Sequence, residues 1–300
     1  MDVHIRCPTC RMQLKVPRDS QGRPIRCPGC KTVFDMRPAG PTRLRVSKAT
    51  SPGMVRDRNE DSLLVAQLAW AAGGADHEIT LMAVLDGMGG HAGGDRAAAL
   101  AANSLAMALL PRLAGFVAGV EPLPDDAGFL EMLDLAMWEA NRAVNRVATE
   151  ESSLAGMGAT GVAVLVCDTT MAVCHVGDCR AYLCRSGAVR ALTQDQTLAR
   201  RMVELGTLTE RQARTHPSAS QVTQALGRHF DIEPSRQTLS LLADDVLVLA
   251  CDGLHAHLDE VAIASILAKY PEDGATALVE AANASGGSDN CTVIVARFRP

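Results

Sequence analysis

Five acidic strings recur along this chain, each where an apolar run gives way to glycine or another polar turn residue: Arg56 to Asp61, Asp86-Gly87, Gly177-Asp178, Asp252-Gly253 and Asp289-Asn290. A strand such as Leu81 to Leu85 or Val246 to Cys251 buries its apolar side chains. An acid just past its end is then free to face solvent or a metal. One Asp-Gly pair is ordinarily a turn. Several such acids at one sheet edge repel one another strongly unless cations lie between them. Hard divalent ions, which take oxygen ligands, answer that need.

The elements that hold these acids follow from apolar periodicity. Strand-type runs cover Leu63 to Ala69, Ile79 to Leu85, Thr160 to Cys167, Ala172 to Val176, Ala181 to Cys184, Gln237 to Leu241, Val246 to Ala250 and Thr292 to Phe298. Helical patterns cover Gly94 to Leu110, Asp126 to Thr149, Gln196 to Leu205, Asp259 to Ala268 and Glu272 to Ala284. In the second helix Phe129, Leu133, Ala136, Ala140, Val144 and Val147 mark a packed face. Short turns such as Asp168-Thr169-Thr170 favour antiparallel pairing. Runs of strands separated by helices predict an α+β domain of two packed sheets covered by helices.

At the amino end, Cys7-Pro8-Thr9-Cys10 and Cys27-Pro28-Gly29-Cys30 are separated by sixteen residues, the spacing of two knuckles that complete a tetrahedral zinc site. Met12 to Ile25 is long enough for a hairpin turning at Asp19-Ser20-Gln21-Gly22. With so few apolar residues, the segment needs its metal to fold. A redox dithiol would instead open a helix in a βαβ unit, and nothing here suggests one. The arrangement resembles the short zinc ribbons at the front of many bacterial proteins. We therefore expect a ribbon over residues 1–37, a linker over 38–44 around Pro38-Ala39-Gly40-Pro41-Thr42, and a large domain over 45–300.

The 300 residues are 47% hydrophobic, ample for a large core, but only 3% aromatic, so Ala, Val, Leu, Ile and Met must fill it. Residues 1–50 hold eleven Lys or Arg and three acids, +8, which leaves −13 on the remainder of a chain of net charge −5. A basic end can meet nucleic acid, a membrane or an acidic partner, although a small solvated ribbon is charged in any case. The acidic, aromatic-poor body argues against nucleic-acid binding as the main activity. Ala97 to Val120 is interrupted by Asn103, Pro111 and Arg112 and reads as a soluble helix ending at Pro111. Met1 to Cys7 lacks the apolar stretch of a signal peptide, so a cytoplasmic location with no membrane partner is expected.

Six separated strings carry a family resemblance: Gly53-Met54-Val55-Arg56-Asp57-Arg58-Asn59-Glu60-Asp61, Asp86-Gly87-Met88-Gly89-Gly90-His91, Gly156-Met157-Gly158-Ala159-Thr160, His175-Val176-Gly177-Asp178-Cys179-Arg180-Ala181-Tyr182, Asp252-Gly253-Leu254 and Gly287-Ser288-Asp289-Asn290. In this order they resemble the motifs of metal-dependent Ser/Thr protein phosphatases of the 2C type, over about residues 45–298. The resemblance implies an α-β-β-α sandwich with a binuclear Mn or Mg centre at one end of the sheets. It implies that Asp86 bridges the two ions, the Gly87 carbonyl binds one, and Asp252 and Asp289 hold the other. Glu60 and Asp61 would orient water, Arg56 would grip the substrate phosphate, and Asp178 with Asp252 would serve the third metal site of bacterial members. The implied substrates are phosphoserine and phosphothreonine proteins, with a Ser/Thr protein kinase or its substrates as natural partners.

The chemistry agrees with these roles. Bare carboxylates repel a phosphate dianion, whereas two dications reverse that field, polarise phosphorus and make a bridging water acidic enough to attack. Arg56 can give the phosphate two parallel hydrogen bonds, unless it is spent on an ion pair with Glu60 or Asp61. Asp178 could alternatively belong to a hairpin cap with Arg180. Met88 stands where animal relatives have histidine, and a thioether donates no proton, so acid catalysis shifts toward water and His91 is read as structural. Gln196 and Gln224 depart from the family's usual histidine and arginine, near a cleft-lining segment between Asp195 and Gly227. The six cysteines of the large domain are read as buried thiols, and His255 and His257 as solvent-facing. The competing function is a non-catalytic regulator that binds phosphoproteins, with its ribbon on protein or nucleic acid.

Overall fold

The computed structural model describes residues 2–7, 12–17, 24–35, 43–72, 75–89, 93–214, 216–228 and 230–299. At the amino end, β1 (Asp2–Arg6) pairs with β2 (Gln13–Pro17), and β3 (Pro24–Arg26) with β4 (Val33–Asp35). Each hairpin closes around its own Cys-x-x-Cys string, which corrects the expectation of one hairpin over Met12 to Ile25. The anticipated turn at Asp19 to Gly22 lies outside the described residues. The knuckles themselves start the ladders: the Cys7 N–H donates to Met12 O and the Cys27 N–H to Thr32 O, both at 2.9 Å. Cys7, Leu14 and Cys27 form the buried cluster, with Ile25 and Cys30 against it. Among the described residues that core is too small by itself to offset the entropy of ordering two hairpins.

Strand β5 (Arg43–Ser51) follows, an element that the alternation of Arg, Lys and Ser with apolar residues conceals. It buries Leu44, so the last two residues of the expected linker belong to a sheet; residues 36–42 lie outside the described ones. The remaining strands are β6 (Asp61–Ala72), β7 (Ala75–Met88), β8 (Gly158–Cys167), β9 (Thr170–Val176), β10 (Arg180–Arg185), β11 (Ala188–Ala191), β12 (Ser235–Ser240), β13 (Val246–Ala250) and β14 (Cys291–Arg299). They form two five-stranded antiparallel sheets, in the orders β12-β9-β8-β7-β6 and β11-β10-β13-β14-β5.

Two helices, α1 (Gly94–Val117) and α2 (Asp126–Glu150), cover the first sheet. Short helices α3 (Leu198–Glu204) and α4 (Glu210–Arg214) lie in the connection from β11 to β12. The second sheet is covered by α5 (Asp252–His255), α6 (Glu260–Lys269) and α7 (Gly274–Ala284). The fold is thus the expected α-β-β-α sandwich. Central strands are buried on both faces: Leu81, Ala83 and Leu85 of β7 face the helices, while Met82 and Val84 face the other sheet. That double burial is why they read as unbroken apolar runs.

One boundary moves. Helix α1 continues to Val117 through Pro111 instead of ending there. The bond that Pro111 cannot make would have gone to the carbonyl of Met107, and both residues lie on the exposed side, where water can serve that carbonyl. By length and composition α1 could cross a membrane. Its face of Ala97, Ala101, Leu105, Leu109 and Leu113 is instead packed into the core under the first sheet.

Candidate metal centre

Strand register brings the acids together. Asp61 opens β6 and stands directly opposite Asp86 of β7. Asp86 lies within β7, which runs on to Met88, and not past a strand ending at Leu85. Like charges facing each other across an antiparallel pair destabilise it, so this position asks for a cation. Oxygens of Asp61 and Asp86 lie within 4.8 Å of each other and of the Cys251 sulfur. Asp252 opens α5 and lies close enough to Asp86 for each carboxylate to bear on the other. Asp178 is buried in the turn between β9 and β10, and Asp289 lies two residues before β14. All five carboxylates therefore occupy the same end of the two sheets.

The electrostatics are those of buried carboxylates crowded together. Burial, followed by repulsion from Asp252, Asp61, Asp178 and Asp289, raises the Asp86 carboxyl well above the carboxylate range. Burial pushes Asp61 and Asp178 up to about 7, and burial with Asp289 raises Asp252. Asp61 Oδ2 accepts the Thr292 hydroxyl at 2.6 Å and the Cys251 thiol at 3.3 Å. Its Oδ1 is buried without any hydrogen-bond partner. An orphan carboxylate oxygen beside raised acids is costly in a dry fold and fits a divalent cation. The donor set is all oxygen, as Mn or Mg requires.

Arg56 sits on the loop from β5 to β6, and its Nη2 donates to Asp289 Oδ2 at 2.6 Å. Neither Glu60 nor Asp61, the partners weighed from sequence, takes it. Glu60 lies against the start of α1, where a Cβ on Gly94 would come within 2.5 Å of its Oε2. Burial first and Asp95 second raise its pKa. At Gly87 a Cβ would meet Gly94 O at 2.0 Å and Glu60 O at 2.5 Å, both backbone atoms that cannot give way. Gly87→Ala should therefore cost about 3 kcal/mol in urea unfolding.

Residues 48–291 match the family model described as Protein phosphatase 2C. The chain belongs to the protein phosphatase 2C family. Over 258 residues it is 33% identical to serine/threonine protein phosphatase PstP of Mycobacterium tuberculosis, covering 84% of this chain and 45% of that protein. The chain thus spans about half the length of that relative. Protein phosphatase PhpP of Streptococcus pneumoniae is 30% identical over 83% of this chain and 96% of its own. The solved catalytic domain of PstP in complex with two manganese ions superposes with a TM-score of 0.70 at 31% identity, covering 86% of this chain and all of that one.

Within this phosphatase 2C domain, the sequence departures acquire contacts. Gln196 Oε1 accepts the Gly177 N–H at 2.7 Å and its Nε2 donates to Glu233 O at 2.8 Å, which ties the Asp178 turn to the crossover. Gln224 Oε1 accepts the Glu233 N–H at 3.2 Å. Arg180 forms a bidentate pair with Asp195, at 2.7 and 2.6 Å, not a local pair with Asp178. His255 turns inward, its Nε2 3.1 Å from Asp178 O, and burial lowers its pKa to about 4, so it is not the solvent-facing residue expected. His257 contacts Ser288 Oγ at 3.0 Å. The six cysteines of the domain are buried free thiols, as expected.

A cleft of about 1040 Å³ runs from Asp178 and Asp252 past Asp195 and Arg200 to Asp259, and part of the 195–227 segment lines it. Sequence reasoning gave no role to Thr292 or the Asn290 side chain, and none to Cys251 in holding Asp61. Their signal was adjacency to the ligand motifs, with Thr292 at the alternate strand position from Asn290. His91 lies outside the described residues. In the amino-terminal hairpins the Cys7 and Cys30 sulfurs are 3.4 Å apart and cluster with that of Cys27; Cys10 lies outside the described residues.

Proposed function

We propose that this chain is a metal-dependent protein serine/threonine phosphatase acting on phosphoserine and phosphothreonine. The observation that carries the reading is the convergence of Asp61, Asp86, Asp178, Asp252 and Asp289 at one sheet end with a buried carboxylate oxygen left unserved. In it Asp86, the Gly87 carbonyl, Asp252 and Asp289 would hold two Mn or Mg ions, and Asp178 with Asp252 would serve a third. Such ions reverse the local field, polarise phosphorus and supply a nucleophilic water. Arg56 leaves Asp289 to grip the phosphate through paired hydrogen bonds. Glu60 and Asp61 orient water, Asp61 being fixed by Thr292. The substrate is a phosphoprotein, and a Ser/Thr kinase acting on the same proteins is the natural counterpart.

Cys7, Cys10, Cys27 and Cys30 hold one structural zinc in a ribbon over residues 1–37 that locates or regulates the phosphatase domain. The domain then begins at β5. Free buried thiols suit a reducing, cytoplasmic setting. Deleting residues 1–42 should leave the rate of peptide hydrolysis within about twofold, because no catalytic residue lies in the ribbon; total loss would make the ribbon part of the catalytic fold. The decisive assay is hydrolysis of a phosphothreonine peptide with Mn or Mg. It should vanish in chelator and return when the ion is restored. A folded, metal-loaded protein that leaves phosphopeptides intact would defeat the reading.

A further inference from the structure

Asn290 is only 7% exposed and spends its whole side-chain amide on one loop. Its Oδ1 accepts the Glu60 N–H at 2.8 Å, and its Nδ2 donates to Arg58 O at 2.8 Å and Pro52 O at 3.0 Å. Its own N–H donates to Asp289 Oδ1 at 2.9 Å. The loop over residues 52–60 has neither strand nor helix of its own, and it carries Arg56 with Met54 and Val55 exposed beside it. The Met54 N–H to Gly287 O bond, 2.7 Å, secures the middle of the loop, while Asn290 closes both ends.

The chemistry of this knot is selective. One acceptor and two donors are needed within a single flat group, which an amide supplies. Asp would set a carboxylate against two carbonyl oxygens, and Leu would leave the Glu60 N–H and the Arg58 and Pro52 carbonyls without this partner. Because Asn290 is the neighbour of Asp289 and the first residue before β14, the brace ties the loop to the start of a strand paired on both sides, with β13 and β5. We propose that Asn290 is a positioning residue: its amide holds the 52–60 loop so that the Arg56 guanidinium stays over the acidic centre, ready for the substrate phosphate. This rests on the phosphatase reading given above.

The test compares wild type, Arg56→Ala, Asn290→Ala and the double variant, all Mn-loaded, on a phosphothreonine peptide. Asn290→Ala should raise KM about tenfold with kcat changed less than about threefold. In the double variant KM should equal that of Arg56→Ala, since no guanidinium remains to be positioned. Multiplying effects, or an unchanged KM in Asn290→Ala, would overturn the proposal. Mn affinity by titration calorimetry should stay within about threefold; a larger loss would mean that Asn290 acts through Asp289 instead. Hydrogen exchange should quicken over residues 52–60 while β14 stays protected, and loss of protection throughout would reduce the residue to general support of the fold. Asn290→Ser, which keeps one hydroxyl partner, is carried through the same measurements and decides the matter if the alanine variant does not fold. A wild type without Mn-dependent hydrolysis would sink the phosphatase reading, whereas the exchange comparison would still report on the brace.

Discussion

Asp86→Asn should cut Mn-supported hydrolysis by at least about a thousandfold and, in chelator, make the protein more stable. Both halves come from the same geometry. Asp86 faces Asp61 across the β6–β7 ladder and is pressed upward in pKa by burial and by Asp252, Asp61, Asp178 and Asp289. Without ions the fold must bear the repulsion or take up a proton at Asp86, and an amide of the same shape needs neither. In the proposed centre the same carboxylate would hold the ions, and a neutral amide oxygen binds hard cations far more weakly. Opposite signs for apo stability and activity separate a ligand from a residue that merely holds up the fold, whose loss would lower both. Thermal scans in chelator beside kcat/KM on the peptide read the two quantities. Activity retained within tenfold would remove Asp86 from the centre.

How much of this was legible beforehand depends on what each residue answers to. The acids were legible because each ends or interrupts an apolar strand, and a charge in that place has few uses. Asp86 itself was set one position past its strand, because hydropathy stops at Leu85 whereas ladder bonds continue through Gly87 to Met88. Strand β5 was hidden for a related reason: Arg, Ser, Lys and Thr interrupt its apolar residues on both faces, and only pairing with β14 along nine residues defines it. Two hairpins form in place of one because the backbone bonds from Cys7 and Cys27 close each turn locally, an effect that the spacing of the cysteines does not encode. Asn290 and Thr292 could not be found by charge or pattern. Their roles exist only once Glu60, Arg58 and Asp61, some 230 residues earlier, arrive beside them.

Raising the pH should weaken the metal-free domain between about pH 4 and about pH 7, and Mn should abolish that weakness. Asp61 and Asp178 titrate at about 7 in the fold and near 3.9 when unfolded. Between those values the folded state holds protons that the unfolded chain releases, so stability falls as pH rises. The contribution is fully present below about pH 4 and gone above about pH 7, and Asp86 and Asp252 push in the same direction. The ions compete with these protons for the same oxygens. Their stabilisation should therefore be small at pH 5 and large at pH 8, where an ion held at a hundred times its Kd adds about 2.7 kcal/mol per site, several degrees of Tm in a domain of this size. Thermal scans at the two pH values, with chelator and with Mn, measure the difference directly. A metal-free Tm that climbs from pH 5 to pH 8 would mean that the protein's own cations neutralise the cluster, as Arg56 does for Asp289, and that no ion is needed to hold the two sheet ends together.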